Sequence, residues 1–414
     1  MSTKTFSLEK SKVKILLLEG VHKKSIEAFN DDGYTQIDYY THALPEAELL
    51  KIIPKYHFIG IRSRTQINEK VLKVAKKLIA IGCFCIGTNQ VNLEIAKSLG
   101  IPVFNSPYSN TRSVAELVIG EMIMLIRGIP HRSTAAHKGE WLKNSHNAFE
   151  VRGKTVGIIG YGHIGSQTGI LAEAMGMKVL YYDIERKLSL GNAQSIKTIK
   201  ELLNKSDFIT LHVPNTKQTQ NMFGYKEIRQ MKKGSHLINA SRGTVVDIEA
   251  LADALKSKHL LGAAIDVFPK EPKSKEEKFE SPLQNLDNVI LSPHIGGSTI
   301  EAQENIGINT AHKLIDYSNL GNTDSTVNFP KVSLPILDKS HNRYLHIHEN
   351  KPGVMKSINE LFLKVGINVI GQYLQTNDQI GYVVFDTETV ATGNDNLLKK
   401  LKNIPGTIRA RELF

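Results

Sequence analysis

The stretch KTVGIIGYGHIG, from Lys154 to Gly165, decides the fold of this 414-residue chain. An apolar run typical of a buried strand leads directly into three glycines with the spacing G-x-G-x-x-G, at Gly160, Gly162 and Gly165. The first glycine permits a tight strand-to-helix turn, the second lets a pyrophosphate approach the backbone, and the third lets helix and strand pack closely. The pattern predicts a βαβ unit whose helix N-terminus binds phosphate groups.

A second strand-like run, KVLYYD, follows the predicted helix and ends at Asp183. It places a carboxylate roughly 20 residues beyond the glycines, where it can hydrogen bond the ribose hydroxyls of a dinucleotide. A 2′-phosphate would be repelled there, so the sequence predicts binding of NAD rather than NADP. A βαβ unit whose glycines have only a structural role is the alternative interpretation.

Composition limits the classes of protein that fit. The first dozen residues lack the apolar stretch of a secretory signal, and no uncharged span is long enough for a membrane helix, so we expect a soluble, cytoplasmic protein without a membrane partner. The net charge of +11 comes from scattered lysines and arginines, which favours a solvated surface biased toward small anions over a nucleic-acid partner. Cys83 and Cys85 lie in one apolar run and are predicted to be buried, reduced thiols rather than a disulfide or a metal site.

The distribution of apolar runs predicts three structural units. Strands are expected near Val13, Phe58, Leu78 and Ile101, and a second α/β series begins at Lys154. A long helix over 299–318 is expected to return to the first unit, and a proline-containing linker then leads to a βαββαβ pattern. The predicted fold class is α/β, with two doubly wound parallel-sheet domains, one flavodoxin-like and one Rossmann, and a C-terminal ferredoxin-like domain.

Three residues that follow predicted strands of the second series are suited to oxidising a hydroxy acid. The ligand crevice of such a sheet lies at the carboxyl ends of its strands. Arg242 can bind a carboxylate with its planar guanidinium, and His294 can exchange a proton with a hydroxyl. Glu271 can raise the pKa of the imidazole and fix its tautomer. Singly, each has a structural explanation, as a surface ion pair, a structural histidine or a member of a charged loop, but their combination favours one site.

These motifs resemble those of the D-isomer-specific 2-hydroxyacid dehydrogenase family, and more narrowly its bacterial members with a C-terminal ACT domain. The resemblance covers essentially the whole chain. It implies that Arg242 orients the substrate, that His294 is the acid/base and that Glu271 is its partner. The segments that carry it are GYGHIG (160–165), INASRGTVVD (238–247), AIDVF (264–268), SPHIGGST (292–299) and HIHENKPG (346–353).

The resemblance also implies which residues bind cofactor and substrate. Asp266 would hold the nicotinamide amide, and residues 212–214 would line the cofactor cleft. Substrate contacts are expected at Arg62, Ser63 and Asn110, with a surface ion-pair cluster and a helix cap as the alternatives. The full cofactor-binding set comprises Gly160, Gly162, His163, Ile164, Gly165, Asp183, His212, Val213, Pro214, Ala240, Arg242, Asp266, His294 and Gly297.

The family fold implies a discontinuous substrate-binding domain of residues 1–110 and 298–330, an NAD-binding Rossmann domain of 111–297, a linker of 331–341 and an ACT domain of 342–414. Paired ACT domains are expected to bind L-serine at their interface through His348, Asn350 and Asn368, in a homotetramer. Helix capping by Asn350 and turn formation by Asn368 are the alternative.

The activity implied by the resemblance is NAD-dependent oxidation of 3-phospho-D-glycerate to 3-phosphohydroxypyruvate, the first step of L-serine synthesis. Feedback inhibition by L-serine and a 2-oxoglutarate reductase side activity are implied with it. Two alternatives stay open: another D-2-hydroxyacid dehydrogenase of the glyoxylate or lactate type, and an NAD(H)-sensing binding protein similar to the corepressors of this family.

Overall fold

A computed structural model of the chain describes residues 8–272, 276–337, 341–388 and 394–413. The chain divides into two compact units, Met1–Ser109 together with Gln303–Phe414, and Asn110–Ala302. Part of the predicted linker, residues 338–340, lies outside the described residues. Over the part of the chain that is described, no helix combines the length and the apolar character needed to cross a membrane.

The first unit contains a parallel five-stranded sheet flanked by helices. Its strands are β1 (Lys14–Leu17), β2 (Gln36–Tyr39), β3 (Phe58–Ile61), β4 (Ala80–Cys83) and β5 (Val103–Asn105), and its helices are α1 (Lys24–Asp31), α2 (Glu46–Ile52), α3 (Glu69–Val74) and α4 (Leu93–Ser98). The strand order is β2-β1-β3-β4-β5. Every residue of β3, β4 and β5 is buried, as expected for parallel strands covered on both faces. The edge strand β2 escaped prediction because it lacks a continuous apolar run.

The two cysteines differ in burial. Cys83 ends β4 and is buried, whereas Cys85 lies beyond the strand and is half-buried. Both are free thiols. The prediction of burial is therefore confirmed for Cys83 and wrong for Cys85, because the chain leaves the sheet between the two residues.

The second unit contains a parallel seven-stranded sheet in the order β12-β11-β10-β9-β6-β7-β8. The strand order reverses between β6 and β9, and this switch point opens a crevice at the carboxyl ends of the strands. The bounds of its strands are β6 (Thr155–Ile159), β7 (Lys178–Tyr182), β8 (Gln194–Ser195), β9 (Phe208–Leu211), β10 (His236–Asn239), β11 (Gly262–Ile265) and β12 (Val289–Leu291). Its helices are α5 (Thr111–Arg127), α6 (Ile129–His137), α7 (His163–Ala174), α8 (Ile199–Lys205), α9 (Tyr225–Gln230) and α10 (Ile248–Lys256).

Helix α10 shows how local sequence determines where a helix of this unit begins. The side chain of Asp247 accepts hydrogen bonds from the N–H groups of Glu249 and Ala250, both at 3.1 Å, and thereby caps the first turn. The buried face of the helix carries Leu251 and Leu255. Burying each of these side chains contributes about 1.5–3 kcal/mol relative to leaving it in water.

The terminal sheet is antiparallel, with the strand order β14-β15-β13-β16. Its elements are β13 (His341–Glu349), α12 (Val354–Val365), β14 (Val369–Thr376), β15 (Ile380–Glu388), α13 (Asn394–Lys402) and β16 (Thr407–Glu412), and the long helix α11 (Ile300–Leu320) precedes them. Element order and strand order are those of the ferredoxin-like βαββαβ arrangement. The predicted fold class is confirmed.

The terminal sheet shares a hydrophobic core with the first sheet. Ile347 and Tyr382 belong to the same buried cluster as Ile15 and Phe58. The guanidinium of the buried Arg343 binds Asp386 at 2.6 and 2.7 Å and donates to the carbonyls of residues 320 and 335. Within the described part of the predicted linker, Val332 and Leu334 are buried in this shared core, whereas Ile336 is exposed.

Candidate active site

The three glycines after β6 have separate structural roles. Gly160 has φ +90°, and a Cβ there would lie 2.4 Å from the carbonyl oxygen of His212. A Cβ on Gly165 would lie 2.1 Å from the carbonyl oxygen of Gly160, so the helix can approach the strand only with glycine here. A Cβ on Gly162, in contrast, would meet nothing within 4 Å.

The open space at Gly162 lies at the N-terminus of the 12-residue helix α7. Gly162 is the N-cap residue, and no side chain caps the helix. The first N–H groups of a helix lack partners within the helix and favour an anion. Space above the glycine and an uncapped helix N-terminus fit the pyrophosphate of NAD, with His163 and Ile164 as the first helical residues.

Asp183, directly after β7, is half-buried and already fastens the glycine loop. Its Oδ2 accepts the N–H of Tyr161 at 2.8 Å, and its Oδ1 accepts the N–H of Glu185 at 2.9 Å. Each carboxylate oxygen has a second lone pair, so the side chain can also accept hydrogen bonds from a ribose. The predicted ribose ligand therefore also determines the geometry of the phosphate loop.

The segment after β9 brings a neutral histidine to the same edge of the sheet. Burial of the ring lowers the pKa of His212 to about 4, and its Nε2 lies 3.0 Å from Oγ1 of Thr210. Val213 is half-buried and Pro214 is exposed. An uncharged imidazole beside apolar groups suits the wall of a nucleotide cleft better than a charged one would.

His294 and Glu271 form a hydrogen-bonded pair. Nδ1 of His294 lies 2.9 Å from Oε2 and 3.1 Å from Oε1 of Glu271. The hydrogen bond to Glu271 raises the pKa of His294 against the desolvation of the ring. Burial acts to raise the pKa of Glu271, but hydrogen bonds from His294 and the Phe268 N–H outweigh it and leave the pKa lowered. His294 has φ +56°, an uncommon conformation that marks a constrained residue.

Arg242 lies beside this pair, just after β10 and the half-buried Ala240. Burial lowers the pKa of its guanidinium, and Glu271 partly offsets the shift. Nη1 donates to the carbonyl of Ser241 at 2.7 Å, and Asn239 donates to the carbonyl of Arg242 at 3.0 Å. The structure thus brings the three predicted catalytic residues together, and Glu271 acts electrostatically on both of the others.

Asp266 holds the loop that carries His294. The buried carboxylate accepts a hydrogen bond from Oγ of Ser292 at 2.6 Å. It also accepts hydrogen bonds from the N–H groups of Ile295 and Gly296 at 2.9 and 2.8 Å. Its predicted contact with the nicotinamide amide stays a prediction. The hydrogen bonds that the structure contains make it an organiser of the 292–296 loop.

Glu121 on α5 is a buried carboxyl group near Asp266 that the sequence did not single out. It is 1% exposed, and neither of its carboxyl oxygens has a hydrogen-bond partner among the described residues. Burial, reinforced by the charge of Asp266, raises its pKa to about 8. It reads in the sequence as the charged residue of an amphipathic helix, so only the packing reveals it.

Asn110 lies against Gly297, which directly follows the 292–296 loop. It occupies the N-cap position of α5, yet its side chain makes no capping hydrogen bond. A Cβ on Gly297 would lie 2.4 Å from Nδ2 of Asn110, and Oδ1 of Asn110 is buried without a partner among the described residues. A helix cap is therefore excluded as its role, and a substrate contact stays the prediction.

The other predicted substrate residues belong to the first unit, in the loop that follows β3. Arg62 is half-buried and Ser63 is exposed. The guanidinium of Arg62 makes no ion pair with any residue in the described ranges. Two residues that the sequence did not single out, Glu19 and Gln90, bind the backbone of this loop.

The predicted effector residues lie in the terminal sheet but not in one place. His348 is buried in β13, and Asn350, one residue beyond that strand, donates to the carbonyl of Asn377 at 2.7 Å. Asn368 precedes β14 and donates to Glu388 at 3.0 Å. Because β13 pairs with β15 in antiparallel register, Asn350 and Asn368 stand at opposite ends of the sheet, about 25 Å apart at the usual rise per residue.

Comparisons with known protein families identify two regions of the chain. Residues 119–296 match the D-isomer specific 2-hydroxyacid dehydrogenase, NAD binding domain. Residues 345–409 match the AHAS small subunit-like ACT domain.

Comparisons with individual proteins extend over the whole chain. D-3-phosphoglycerate dehydrogenase of Escherichia coli (strain K12) is 58% identical over 408 residues, 99% of each chain. The enzyme of the same name from Haemophilus influenzae is 56% identical over 414 residues, covering 100% of both. Among solved structures, D-lactate dehydrogenase from Aquifex aeolicus, complexed with NAD and lactic acid, matches with TM-score 0.66 and 29% identity over 77% of this chain and 100% of its own.

Proposed function

We propose that this chain, which belongs to the D-isomer-specific 2-hydroxyacid dehydrogenase family and is an NAD-dependent oxidoreductase, oxidises 3-phospho-D-glycerate to 3-phosphohydroxypyruvate. This reaction would be the first step of L-serine synthesis. The named activity of the full-length relatives supports this choice of substrate.

The observation that carries the proposal is the His294–Glu271 pair at 2.9 Å with Arg242 beside it, in the unit that holds the glycine loop. With Nδ1 of His294 directed to the carboxylate, Nε2 is the nitrogen left to exchange a proton with the substrate. A guanidinium beside it matches the second requirement of the reaction, a cation for the substrate carboxylate.

Each residue then has a defined task in the oxidation. NAD, when bound, supplies the hydride acceptor. Nε2 of His294 takes the proton from the C2 hydroxyl, and Glu271 stabilises the imidazolium that results. Arg242 holds the carboxylate and favours the growing carbonyl character at C2. In the reverse direction His294 returns the proton. The same three residues would then reduce 2-oxoglutarate as a side activity.

Arg62 and Ser63, in the loop after β3, are proposed as contacts to the anionic substrate. Arg62 offers a guanidinium without an ion-pair partner in the described ranges, and Ser63 offers an exposed hydroxyl. Asn110, with its side chain unused for capping, is proposed as a further substrate contact.

A spectrophotometric assay of NADH formation tests the activity. We expect turnover with 3-phospho-D-glycerate to exceed turnover with D-glycerate, D-lactate or glycolate. His294→Asn should lower kcat by about 10²–10⁴, the usual contribution of general acid–base catalysis. His131→Asn, a half-exposed histidine of the same unit paired with Asp287 at 3.5 Å, is the matched control and should keep normal turnover.

The other outcomes separate the alternatives. Preference for D-lactate or glycolate would assign the chain to a lactate or glyoxylate type of dehydrogenase. Absence of NADH with every short D-hydroxy acid, in a protein that still binds NADH, would favour an NAD(H)-sensing binding protein. Near-normal turnover of His294→Asn would reject the assigned acid/base.

We further propose that L-serine is a feedback inhibitor bound between two copies of the terminal domain in a homotetramer. Within one chain, Asn350 and Asn368 are too far apart to bind one amino acid. Pairing two copies can bring His348 and Asn350 of one copy to Asn368 of the other. A ligand shared in this way couples its binding to the relative orientation of the chains.

A further inference from the structure

We infer that Glu19 is a positioning residue for the substrate, acting through the loop Arg62–Thr65. The inference rests on the proposed function, because that function assigns an anionic substrate to this loop. Glu19 follows β1 and is 8% exposed. Its carboxylate accepts hydrogen bonds from the backbone of the loop that carries the candidate substrate-binding side chains.

The carboxylate of Glu19 accepts three hydrogen bonds from this loop. Oε1 accepts the N–H of Thr65 at 2.8 Å and that of Arg62 at 3.2 Å, and Oε2 accepts the N–H of Arg64 at 2.9 Å. Hydrogen bonds to an ionised acceptor are stronger than neutral ones. A side chain that follows the neighbouring strand β1 thus holds three N–H groups of an irregular segment.

Gln90 binds a backbone carbonyl of the same loop. Its Nε2 donates to the carbonyl of Arg62 at 2.7 Å and lies 3.2 Å from the carbonyl of Gly87. Both backbone polar groups of Arg62 are therefore engaged. Its guanidinium, in contrast, forms no ion pair within the described ranges and is available to an anion.

The backbone of Glu19 is held in an uncommon conformation. Its φ is +64°, a left-handed value that is unfavourable for residues other than glycine. The adjacent Leu18 donates to the carbonyl of Gly60 at 2.9 Å, and Glu19 itself donates to that of His42 at 3.1 Å. These bonds fix the turn beside the end of β3. A strained residue that persists where its side chain organises a ligand loop indicates a functional constraint.

The hydrogen bonds of Glu19 limit the ways in which this loop can bind an anion. Because Glu19 occupies the N–H groups of Arg62, Arg64 and Thr65, these cannot form a backbone anion site. Anion recognition by this loop then falls to the Ser63 N–H and to the side chains of Arg62 and Ser63, whose directions follow from the backbone that Glu19 holds. Holding them in place before binding lowers the entropy cost of binding the substrate.

Glu19→Gln in the full-length protein tests the inference. The amide keeps one acceptor oxygen, and its NH₂ group would face a backbone N–H in place of an acceptor. We expect KM for 3-phospho-D-glycerate to rise about tenfold to a hundredfold, since charge-assisted hydrogen bonds are replaced by a donor–donor contact. We expect kcat and the affinity for NADH to stay within about threefold, as for a residue that acts on substrate binding alone.

Two further variants separate positioning from general stability. Tyr56→Phe removes a hydrogen bond to Asp38 in the same sheet domain, away from the loop, and should leave KM unchanged. Glu19→Asp keeps the charge on a shorter side chain and should recover part of the lost substrate affinity. Amide hydrogen exchange should become faster at Arg62, Arg64 and Thr65 in Glu19→Gln and stay unchanged there in Tyr56→Phe.

The inference is overturned if KM of Glu19→Gln equals that of the wild type, if the three amides keep their protection, or if NADH affinity falls in parallel with substrate affinity. Failure of the proposed function would be seen in the substrate preference of the wild type. If the wild type prefers another short D-2-hydroxy acid, KM is measured with that acid, and the exchange rates report the clamp with no substrate at all.

Discussion

The ring of His294 meets the carboxylate of Glu271 through Nδ1, at 2.9 Å from one oxygen and 3.1 Å from the other. Either carboxylate oxygen can therefore accept the Nδ1 proton. This contact raises the pKa of His294 and lowers the pKa of Glu271, as expected for a histidine that becomes positively charged beside a carboxylate.

Glu271→Gln should move the acid limb of the pH–rate profile. In the oxidation direction His294 must be neutral, so kcat/KM rises as pH passes upward through its pKa. The raised pKa of His294 places this limb above the ordinary value of 6.5, and removal of the carboxylate charge should shift the limb to lower pH. The measurement is kcat/KM against pH for both proteins, and a limb that does not move would disprove the coupling.

Gly162→Ala and Gly165→Ala should separate cofactor binding from packing. The added methyl at position 162 meets nothing within 4 Å, so we expect unchanged stability, but weaker NADH binding because the methyl enters the space of the pyrophosphate. At position 165 it would lie 2.1 Å from the Gly160 carbonyl, and overpacking of this kind typically costs about 1–3 kcal/mol. Thermal unfolding and NADH titration measure the two effects. Equal destabilisation by both would contradict the assignment.

Glu121→Gln should flatten the pH dependence of stability. The pKa of Glu121 is raised from 4.5 to about 8 in the folded chain, so the folded state binds an extra proton between these values. Stability from this group is fully present below pH 4.5 and is lost as pH rises toward 8, at up to about 1.4 kcal/mol per pH unit. Denaturant unfolding across this range measures the slope. Glu116→Gln, on the exposed face of the same helix, is the control that should retain the wild-type slope.

Asn350→Ala and Asn368→Ala should each weaken inhibition by L-serine without changing kcat in its absence. If the ligand lies between two copies, mixed oligomers of the two variants would restore some intact sites, whereas a site within one chain would stay defective in both. Inhibition curves of the single variants and of the reassembled mixture measure this. Point variants are preferable to truncation near Pro335, because removing the terminal sheet would expose the core that it shares with the first sheet.

Glycines and strand residues were easier to predict from the sequence than the carboxylates and amides around the site. The glycine loop, the strands on either side of it and the βαββαβ order were predictable, because turn geometry and apolar runs are encoded over a few neighbouring positions. The residues around the site that escaped prediction are carboxylates and amides. Glu19 lies 43 residues from Arg62, to whose N–H it binds, and no local pattern indicates such a pair.

The architecture, the cofactor class and the three residue types of the proposed chemistry follow from the order of amino acids, because glycine spacing and strand-end positions constrain them locally. The roles of the buried carboxyl groups, in contrast, emerge from the folded chain: Glu19 binds a loop, Asp266 binds the turn that carries His294, and Glu121 has a pKa raised to about 8. The physical reason is that the role of a carboxyl group follows from the donors and the solvent around it, and these come from distant parts of the chain.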